Sequence, residues 1–233
     1  MPTDLTANRG YSIESTPTHI HVRFDRSHLV LSSAVLNGGL VRAKHIVNLK
    51  VEKNFEGRKE QFTPPEVTLS DKCQKMGWEG VAVGMMTAAS MDTFRQVCQV
   101  VREVEVIALV TAGVSNARRA GEEAEWREIG DAPIGSGTIN IIVLTNARLT
   151  QAAMVEAVIT VTEAKTAVLQ DRSIKSPVTG KPATGTGTDA IAVVSGFGPV
   201  EVRYCGKHVI FGEMLAKTVM QAIAASLEGE RRY

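Results

Sequence analysis

The sequence predicts an α+β layered fold, in which a mixed, largely antiparallel sheet is packed by a few helices, including a C-terminal helix. Two observations support this prediction. Short segments with strand-like alternation fill the first half of the chain, and strand and helix patterns alternate in the second half. No low-complexity tract or linker divides the 233 residues, so we expect a single domain over residues 1–233.

Composition excludes several functions. The chain has 26 basic and 25 acidic residues and a net charge of +1, which argues against a nucleic-acid partner and against a polybasic membrane anchor. The scattered Cys73, Cys98 and Cys205 form neither a disulfide framework nor a Cys-x-x-Cys zinc motif. Residues 1–6 show no basic region followed by an apolar run, so no secretory signal is expected, and no apolar run approaches the roughly 20 residues that cross a bilayer. A cytoplasmic, soluble protein is therefore expected, and the sequence leaves its oligomeric state, including a homo-oligomer, open.

The first elements are predicted from polar–apolar alternation. Residues 18–24 alternate, residues 25–27 have turn character and residues 28–32 alternate again, so a β-hairpin is expected. His19 and His21 would then lie on one face of its first strand. Two such histidines can bind a metal ion, and an outward polar face explains them equally well.

The next elements follow from turn residues and apolar runs. Residues 37–39 predict a turn. Prolines at the start and glycine at the end of residues 64–77 predict a short helix. Strands are predicted at residues 42–50, 81–85, 94–101 and 104–110, the last two as antiparallel neighbours, and residues 52–62 are predicted as loop.

Two helices are predicted in the second half. The first begins near Asn146, a candidate cap, and runs to about Gln170, although its β-branched middle, residues 158–162, leaves a strand open there. The second spans about Gly206 to Leu227. Its apolar residues recur every four positions and form a stripe: Leu215, Val219, Ile223 and Leu227.

Two long polar segments are candidate functional loops. Residues 176–189 carry repeated Thr-Gly steps and lead into the apolar segment 190–195. Long polar loops deep within a domain commonly bind or catalyse, although a solvated connector is the alternative. Residues 117–133, with Arg118, Arg119 and Trp126, form the second loop, for which a surface excursion is an equal alternative.

The two strands that follow these loops begin alike. Residues 135–144 and 185–194 share the order Gly, hydroxyl residue, Gly, Thr, two further positions and an apolar strand. If the two strands are neighbours, both loops line one edge of the sheet. An internal duplication is one interpretation of this similarity, and the frequency of glycine before strands is the other.

The glycines precede a strand, whereas phosphate-binding glycine loops open a helix, so a nucleotide site is disfavoured. Glycine-relaxed backbone with hydroxyl groups suits a carbonyl oxygen or a developing oxyanion instead. Thr184, Thr186 and Thr188 would share one face in an extended chain. Asp189 could activate one of them, or it could only cap the turn.

Further candidates lie in the last third of the chain. His208 is the best general acid or base because its ordinary pKa lies near neutrality. Cys205, three residues earlier, could act as a nucleophile with it, or could be a buried inert thiol. Glu163 and Lys165 stand among apolar residues and are expected to form a buried or site-facing pair.

With these residues assembled, the sequence resembles the adenosylcobinamide amidohydrolase family of corrinoid salvage. Six stretches carry the resemblance in order, from about Val35 to the last helix: residues 39–48, 111–121, 137–143, 160–166, 183–190, and 204–208 with Gly212-Glu213. The resemblance implies a single amidohydrolase domain. It also implies hydrolysis of the amide between the aminopropanol arm and the corrin ring, which gives adenosylcobyric acid and 1-aminopropan-2-ol.

This reaction gives the candidate residues hypothetical roles. His208, with Glu213 or Glu163, would transfer protons while the loop 184–189 polarises the carbonyl; a threonine nucleophile is the runner-up. Lys165 and Asp189 complete the catalytic candidates. The candidates for binding the corrinoid are Ser115, Asn116, Asn140, Thr184, Thr186 and Thr188. We expect no cofactor or protein metal site, since the cobalt belongs to the substrate. A corrinoid-binding or carrier protein without catalysis is the alternative.

Overall fold

The computed structural model describes residues 10–51, 63–124 and 137–230. Its helices are α1 (Pro65–Lys75), α2 (Gln151–Asp171) and α3 (Ile210–Glu230). Its strands are β1 (Tyr11–Ser15), β2 (His19–Ser32), β3 (Gly39–Lys50), β4 (Ala82–Thr87), β5 (Arg95–Val101), β6 (Val104–Ala112), β7 (Ala117–Arg118), β8 (Ile139–Thr145), β9 (Arg148–Leu149), β10 (Gly185–Thr186), β11 (Ala190–Ser195) and β12 (Glu201–Val202). The predicted loop at residues 52–62 lies outside the described residues.

The main sheet is mixed and largely antiparallel, which confirms the predicted α+β layered fold. Its strands follow the order β4-β3-β2-β11-β8-β6-β5, and β1 pairs with β2. Within this sheet only the pairs β3–β4 and β8–β11 are parallel among the described strands. The predicted antiparallel neighbours are present as β5 and β6, paired from Arg95↔Val110 to Val101↔Val104.

The predicted hairpin within residues 18–32 is wrong. This segment is the single long strand β2, and β3 pairs with it along nearly its whole length, from His19↔Leu49 to Ser32↔Gly39. The polar residues 25–27 are accommodated by a bulge between Arg23 and His28 instead of a chain reversal. The antiparallel partner on the other side of the first half of β2 is β1.

Helices α2 and α3 cover one face of the sheet. Successive side chains of a strand point to opposite faces, so alternate residues of the central strands face the helices. In β6 these residues are Val106, Ala108 and Val110. The predicted apolar stripe of the C-terminal helix is confirmed, since all four of its residues are buried in the same cluster: Leu215, Val219, Ile223 and Leu227.

Two details of the helices differ from the sequence prediction. The cap of α2 is Thr150, whose side chain accepts a hydrogen bond from the Ala153 N–H, and not Asn146. The β-branched residues 158–162 are helical, because packing against α3 and the sheet outweighs their weak helix propensity. The α3 segment Ile210–Gly229 is long and apolar enough to be a candidate membrane span, but 56% of it is buried inside the protein.

On the opposite face of the sheet, apolar side chains from distant strands pack against one another, because the sheet curls strongly. Val22, Ile46 and Val83 pack in one cluster with Ile107 and Ile142, although these residues come from distant strands. At one end of this core, α1 packs on β3 and β4 through a small cluster that includes its buried residues 69 and 73. The curl brings the end of β4 towards the first residues of β8, where the candidate site lies.

Candidate active site

The strands β8 and β11 are neighbours, which meets the condition under which the loops before them line one edge of the sheet. They pair in parallel, with Ala190 opposite Asn140. Residues 137–138 and 184–189 therefore meet at the edge where both strands begin, and the hydroxyl oxygens of Thr138 and Thr188 are 2.6 Å apart. The first two residues of the 135–144 segment lie outside the described residues.

A third loop, residues 113–118, joins this edge. The Gly113 N–H donates to the Thr138 carbonyl (3.0 Å), and β7 pairs with β10. Gly137 has φ +89°, and a Cβ there would overlap Asn116 Oδ1 and lie 2.9 Å from Ser115 Oγ. The predicted binding residues Ser115 and Asn116 thus contact the segment that carries Thr138.

The centre of this edge is a buried ion pair between Lys165 of α2 and Asp189. Their side chains are 8% and 9% exposed. Asp189 Oδ1 accepts hydrogen bonds from Thr186 Oγ1 (2.5 Å) and the Ile139 N–H (2.9 Å), and Oδ2 accepts from the Thr186 N–H (3.0 Å) and from Lys165. Two buried charges are costly to desolvate unless they are paired and hydrogen-bonded, and these donors meet that requirement.

Asp189 therefore does more than cap a turn. It closes the turn at Thr186 and also links α2 to the first residue of β8. Gly185 makes this arrangement possible, since a Cβ there would lie 2.5 Å from Asp189 Oδ2 and 2.8 Å from Lys165 Nζ. Only a residue without a side chain lets the loop backbone approach the ion pair so closely.

A cavity of about 270 Å³ opens beside Asp189. Thr138, Thr188 and Asp189 form its polar part. The remaining wall is mainly apolar and comes from β4, from the ends of neighbouring strands and from the start of α1: Ser33, Val35, Val51, Pro65, Met85, Met86, Thr87, Ala88 and Ala190. Thr138 was not predicted as a site residue, although its position matches that of Thr188 in the two similar segments.

Asn140 lies on the inner face of the sheet, deeper than the loops, and is 1% exposed. Its amide donates to Asn48 Oδ1 and to the Met86 carbonyl, both at 2.8 Å. The Asn48 amide in turn donates to Thr111 Oγ1 (2.8 Å). Asn140 Oδ1 is buried without a hydrogen-bond partner among the described residues. This network supports the cavity wall at Met86, and neither Asn48 nor Thr111 was predicted.

The three threonines do not share one face, because a bend at residues 187–188 ends the extended segment. Thr184 Oγ1 accepts from the Ala120 N–H (2.9 Å), whereas Thr186 and Thr188 contact Asp189 and Thr138. Thr186 and Thr188 therefore lie at the ion pair and the cavity, and Thr184 ties the loop to residues 117–120.

The earlier part of the loop 176–189 contacts residues 119–122. Glu122 accepts hydrogen bonds from the hydroxyls of Ser176 and Thr179, and these bonds lower the pKa of its carboxyl group to about 2. Arg119 donates to the Pro182 carbonyl (2.9 Å). The two candidate loops, residues 117–133 and 176–189, are thus joined by hydrogen bonds. Residues 125–133, with Trp126, lie outside the described residues.

The predicted pair of Glu163 and Lys165 is wrong. On the helix α2, residues two apart point in different directions, so Lys165 is buried with Asp189 while the exposed Glu163 pairs with Lys207. Glu213 is also exposed and pairs with Lys217 at 2.5 Å. His208 is exposed just before α3. None of His208, Glu163 and Glu213 is among the described residues that line the cavity, and their catalytic roles stay predictions.

Cys205 is fully buried, and burial, with a smaller contribution from Glu156, raises the pKa of its thiol to about 12. Its backbone is held by α2, since Glu156 accepts from the Cys205 N–H (2.7 Å) and Thr160 donates to the Cys205 carbonyl (2.9 Å). A thiol with this pKa is protonated at neutral pH, which favours the inert role for Cys205.

The N-terminal histidines are buried at a different part of the sheet. His21 stacks on Trp78, with ring centroids 3.7 Å apart, and its Nε2 is 3.0 Å from Nδ1 of His45. Burial, followed by His45, His19 and Arg23, lowers the pKa of His21 to about 4. The described residues contain no group of three or more metal-ligand side chains.

One edge of the sheet thus brings together a buried ion pair, hydroxyl groups and a cavity. A model of the adenosylcobinamide amidohydrolase family matches residues 4–233. An adenosylcobinamide amidohydrolase of Methanosarcina mazei is 33% identical over 84% of this chain and 88% of its own length. The chain therefore belongs to the adenosylcobinamide amidohydrolase family, a family of enzymes that hydrolyse an amide bond.

Two further proteins are similar. An uncharacterized protein of Methanocaldococcus jannaschii, MJ1613, is 37% identical over 92% of this chain and 87% of its own length. The crystal structure of the PH0078 protein from Pyrococcus horikoshii is matched over 94% of this chain and 83% of that chain, with 12% identity and a TM-score of 0.43.

Proposed function

We propose that this protein cleaves the amide that joins the aminopropanol arm to the corrin ring of adenosylcobinamide, releasing adenosylcobyric acid and 1-aminopropan-2-ol for cobalamin salvage. The observation that carries the proposal is that Asp189, the buried partner of Lys165, lines the cavity together with the Thr138 and Thr188 hydroxyls. The partner is the corrinoid, whose cobalt belongs to the substrate, and the reaction needs no protein-bound cofactor. A cytoplasmic location fits a salvage reaction on this substrate.

The size of the cavity supports an arm of the substrate as its occupant. Small-molecule sites typically enclose roughly 300–1,000 Å³. At about 270 Å³, this cavity suits a short amide arm and is too small for a macrocycle. The corrin ring would lie outside, and the apolar wall from Met85, Met86 and Ala88 would contact the arm's carbon chain.

The hydroxyl pair can bind the amide oxygen. Thr188 Oγ1 lies 2.6 Å from Thr138 Oγ1 and 3.1 Å from the Gly137 carbonyl. The single Thr188 hydrogen can go to the Gly137 carbonyl, with Thr138 donating to Thr188, or to Thr138. In the second arrangement the Thr138 hydrogen can donate to a carbonyl oxygen in the cavity. Such a donor stabilises the negative charge that develops on this oxygen when the amide is attacked.

The ion pair can supply the proton transfers. Water attacks the carbonyl carbon and gives a proton to Asp189, and Asp189 passes this proton to the departing amine nitrogen, while the Lys165 ammonium stabilises the Asp189 carboxylate. The runner-up route uses Thr186, whose hydroxyl already donates to Asp189 Oδ1, as the nucleophile. Both routes depend on Asp189, and we favour them over His208 because Asp189 lines the cavity.

The test is direct. The purified protein is incubated with adenosylcobinamide, and free 1-aminopropan-2-ol and the corrinoid mass are followed together. The proposal expects equimolar amine and adenosylcobyric acid. Corrinoid binding without amine release would instead establish a carrier, and the proposal would be wrong.

A further inference from the structure

A second, larger cavity lies at the opposite edge of the sheet. It encloses about 640 Å³ where β8 and β11 end, beside Leu144 and Val194. Five strand steps of about 3.3 Å separate Ala190 from Ser195, so this cavity is about 17 Å from the Lys165–Asp189 site. Ligands commonly bind outside the carboxyl ends of parallel strands, which is this edge.

One wall of this cavity is an aromatic residue held in place by its neighbours. Phe197 is 42% exposed and therefore lacks much of the stabilisation that a phenylalanine gains when it is buried in the core. The N–H groups on both sides of it are fixed, from Gly196 to the Ala147 carbonyl (2.8 Å) and from Gly198 to the Asn146 carbonyl (2.7 Å). A side chain on either glycine would collide with the backbone of residue 146. The loop backbone on both sides of Phe197 is therefore fixed.

The bulge of β2 supplies the other planar groups. It brings Asp25, Arg26 and His28 to the cavity, and bulges often re-aim side chains beside functional sites. The Arg26 guanidinium lies 3.6 Å from the centroid of the Phe197 ring. The His28 ring packs between Phe24 and Phe197, with centroid distances of 4.5 and 4.6 Å.

His28 offers a fixed acceptor. Its Nδ1 is 2.9 Å from the Ser195 carbonyl, which can only accept, so Nδ1 carries the proton. Burial lowers the pKa of His28, so the ring is neutral at pH 7 and Nε2 is an acceptor. No protein donor to Nε2 is found among the described residues. An imidazole oriented in this way is ready to accept a hydrogen bond from a ligand.

We propose that this cavity binds an uncharged purine nucleoside. Its base would stack against the layer of Phe197 and Arg26, since planar bases stack on aromatic rings and on guanidinium groups. Its N–H or O–H groups would donate to His28 Nε2 and to the carboxylate of Asp25. The lining carries Asp25 and Glu105 against Arg26, and this negative balance disfavours a phosphate group.

The test is equilibrium dialysis of adenosine, with AMP in parallel, against the full-length protein. We expect saturable one-to-one binding of adenosine and weaker binding of AMP. Loss of a stacking partner in Phe197→Ala or Arg26→Ala should weaken binding by about tenfold or more. Tyr204→Ala, which removes an exposed aromatic residue outside the cavity, and Asp189→Asn should bind adenosine like the unchanged protein.

Three results would overturn the proposal. The first is no saturable adenosine binding at millimolar concentrations. The second is unchanged binding by both Phe197→Ala and Arg26→Ala, or loss of binding in Asp189→Asn, which would move adenosine to the hydrolase site. The third is AMP binding as tight as that of adenosine. Because amide hydrolysis is not measured, these results are independent of the function proposed above.

Discussion

Lys165 and Asp189 form an ion pair whose two side chains are each more than nine-tenths buried. They lie 24 residues apart, on a helix and on a loop, and the backbone of Gly185 packs against both. This close packing makes the ion pair sensitive to one methyl group on the loop.

Gly185→Ala should lower turnover by at least about tenfold. The new Cβ would lie 2.5 Å from Asp189 Oδ2 and would force the ion pair apart. Gly187→Ala is the matched control in the same loop, since its Cβ would meet only Asn116 Nδ2, at 3.7 Å. The two variants are compared by kcat/KM on adenosylcobinamide. An equal loss of kcat/KM in the two variants, or no loss in either, would contradict the placement of the ion pair at the reaction site.

Part of this site was predictable, because the segments before β8 and β11 begin alike and their loops were expected at one edge if the two strands were neighbours. The partner of Lys165 was not. The pattern of residues 160–166 allowed a strand or a helix, and only the helix turns Lys165 away from Glu163 and towards Asp189. The hairpin prediction failed for a related reason. Residues 25–27 have turn composition, and only the pairing of β3 with both halves of β2 shows a bulge.

Stability should depend on pH through His21. Its pKa in the folded protein is lowered to about 4, below the ordinary value of 6.5, so the unfolded chain binds a proton first as the pH falls. The neutral His21 ring therefore stabilises the folded protein fully above pH 6.5. This stabilisation is lost as the pH falls towards 4, and the free energy of unfolding is about 2 kcal/mol lower by pH 5.

Urea unfolding at pH 8 and pH 5 measures this dependence. The loss of unfolding free energy between the two should be smaller in His21→Gln, which cannot be protonated, than in the unchanged protein. Comparing the two proteins cancels the other titrating groups. An equal pH dependence in both would show that His21 is not responsible.

Alkylation should leave the activity unchanged. Burial raises the pKa of the Cys73 and Cys205 thiols, so both stay protonated and out of reach, whereas Cys98 is exposed. Treatment of the native protein with iodoacetamide near neutral pH should modify Cys98 first, as read by peptide mass spectrometry, with turnover retained. Modification of Cys205 in step with a loss of turnover would revive its role as a nucleophile.

The most direct test of the account compares the kcat/KM of Asp189→Asn with that of His208→Ala on adenosylcobinamide, with the unfolding midpoint of each variant measured so that both are assayed at a temperature where they are folded. Asparagine keeps the shape of the side chain but removes its charge and its ability to take a proton. We expect Asp189→Asn to lose at least about 100-fold and His208→Ala to stay within about tenfold of the unchanged protein. The reverse order, with Asp189→Asn nearly unaffected and His208→Ala strongly impaired, would contradict a reaction centred on the Lys165–Asp189 pair.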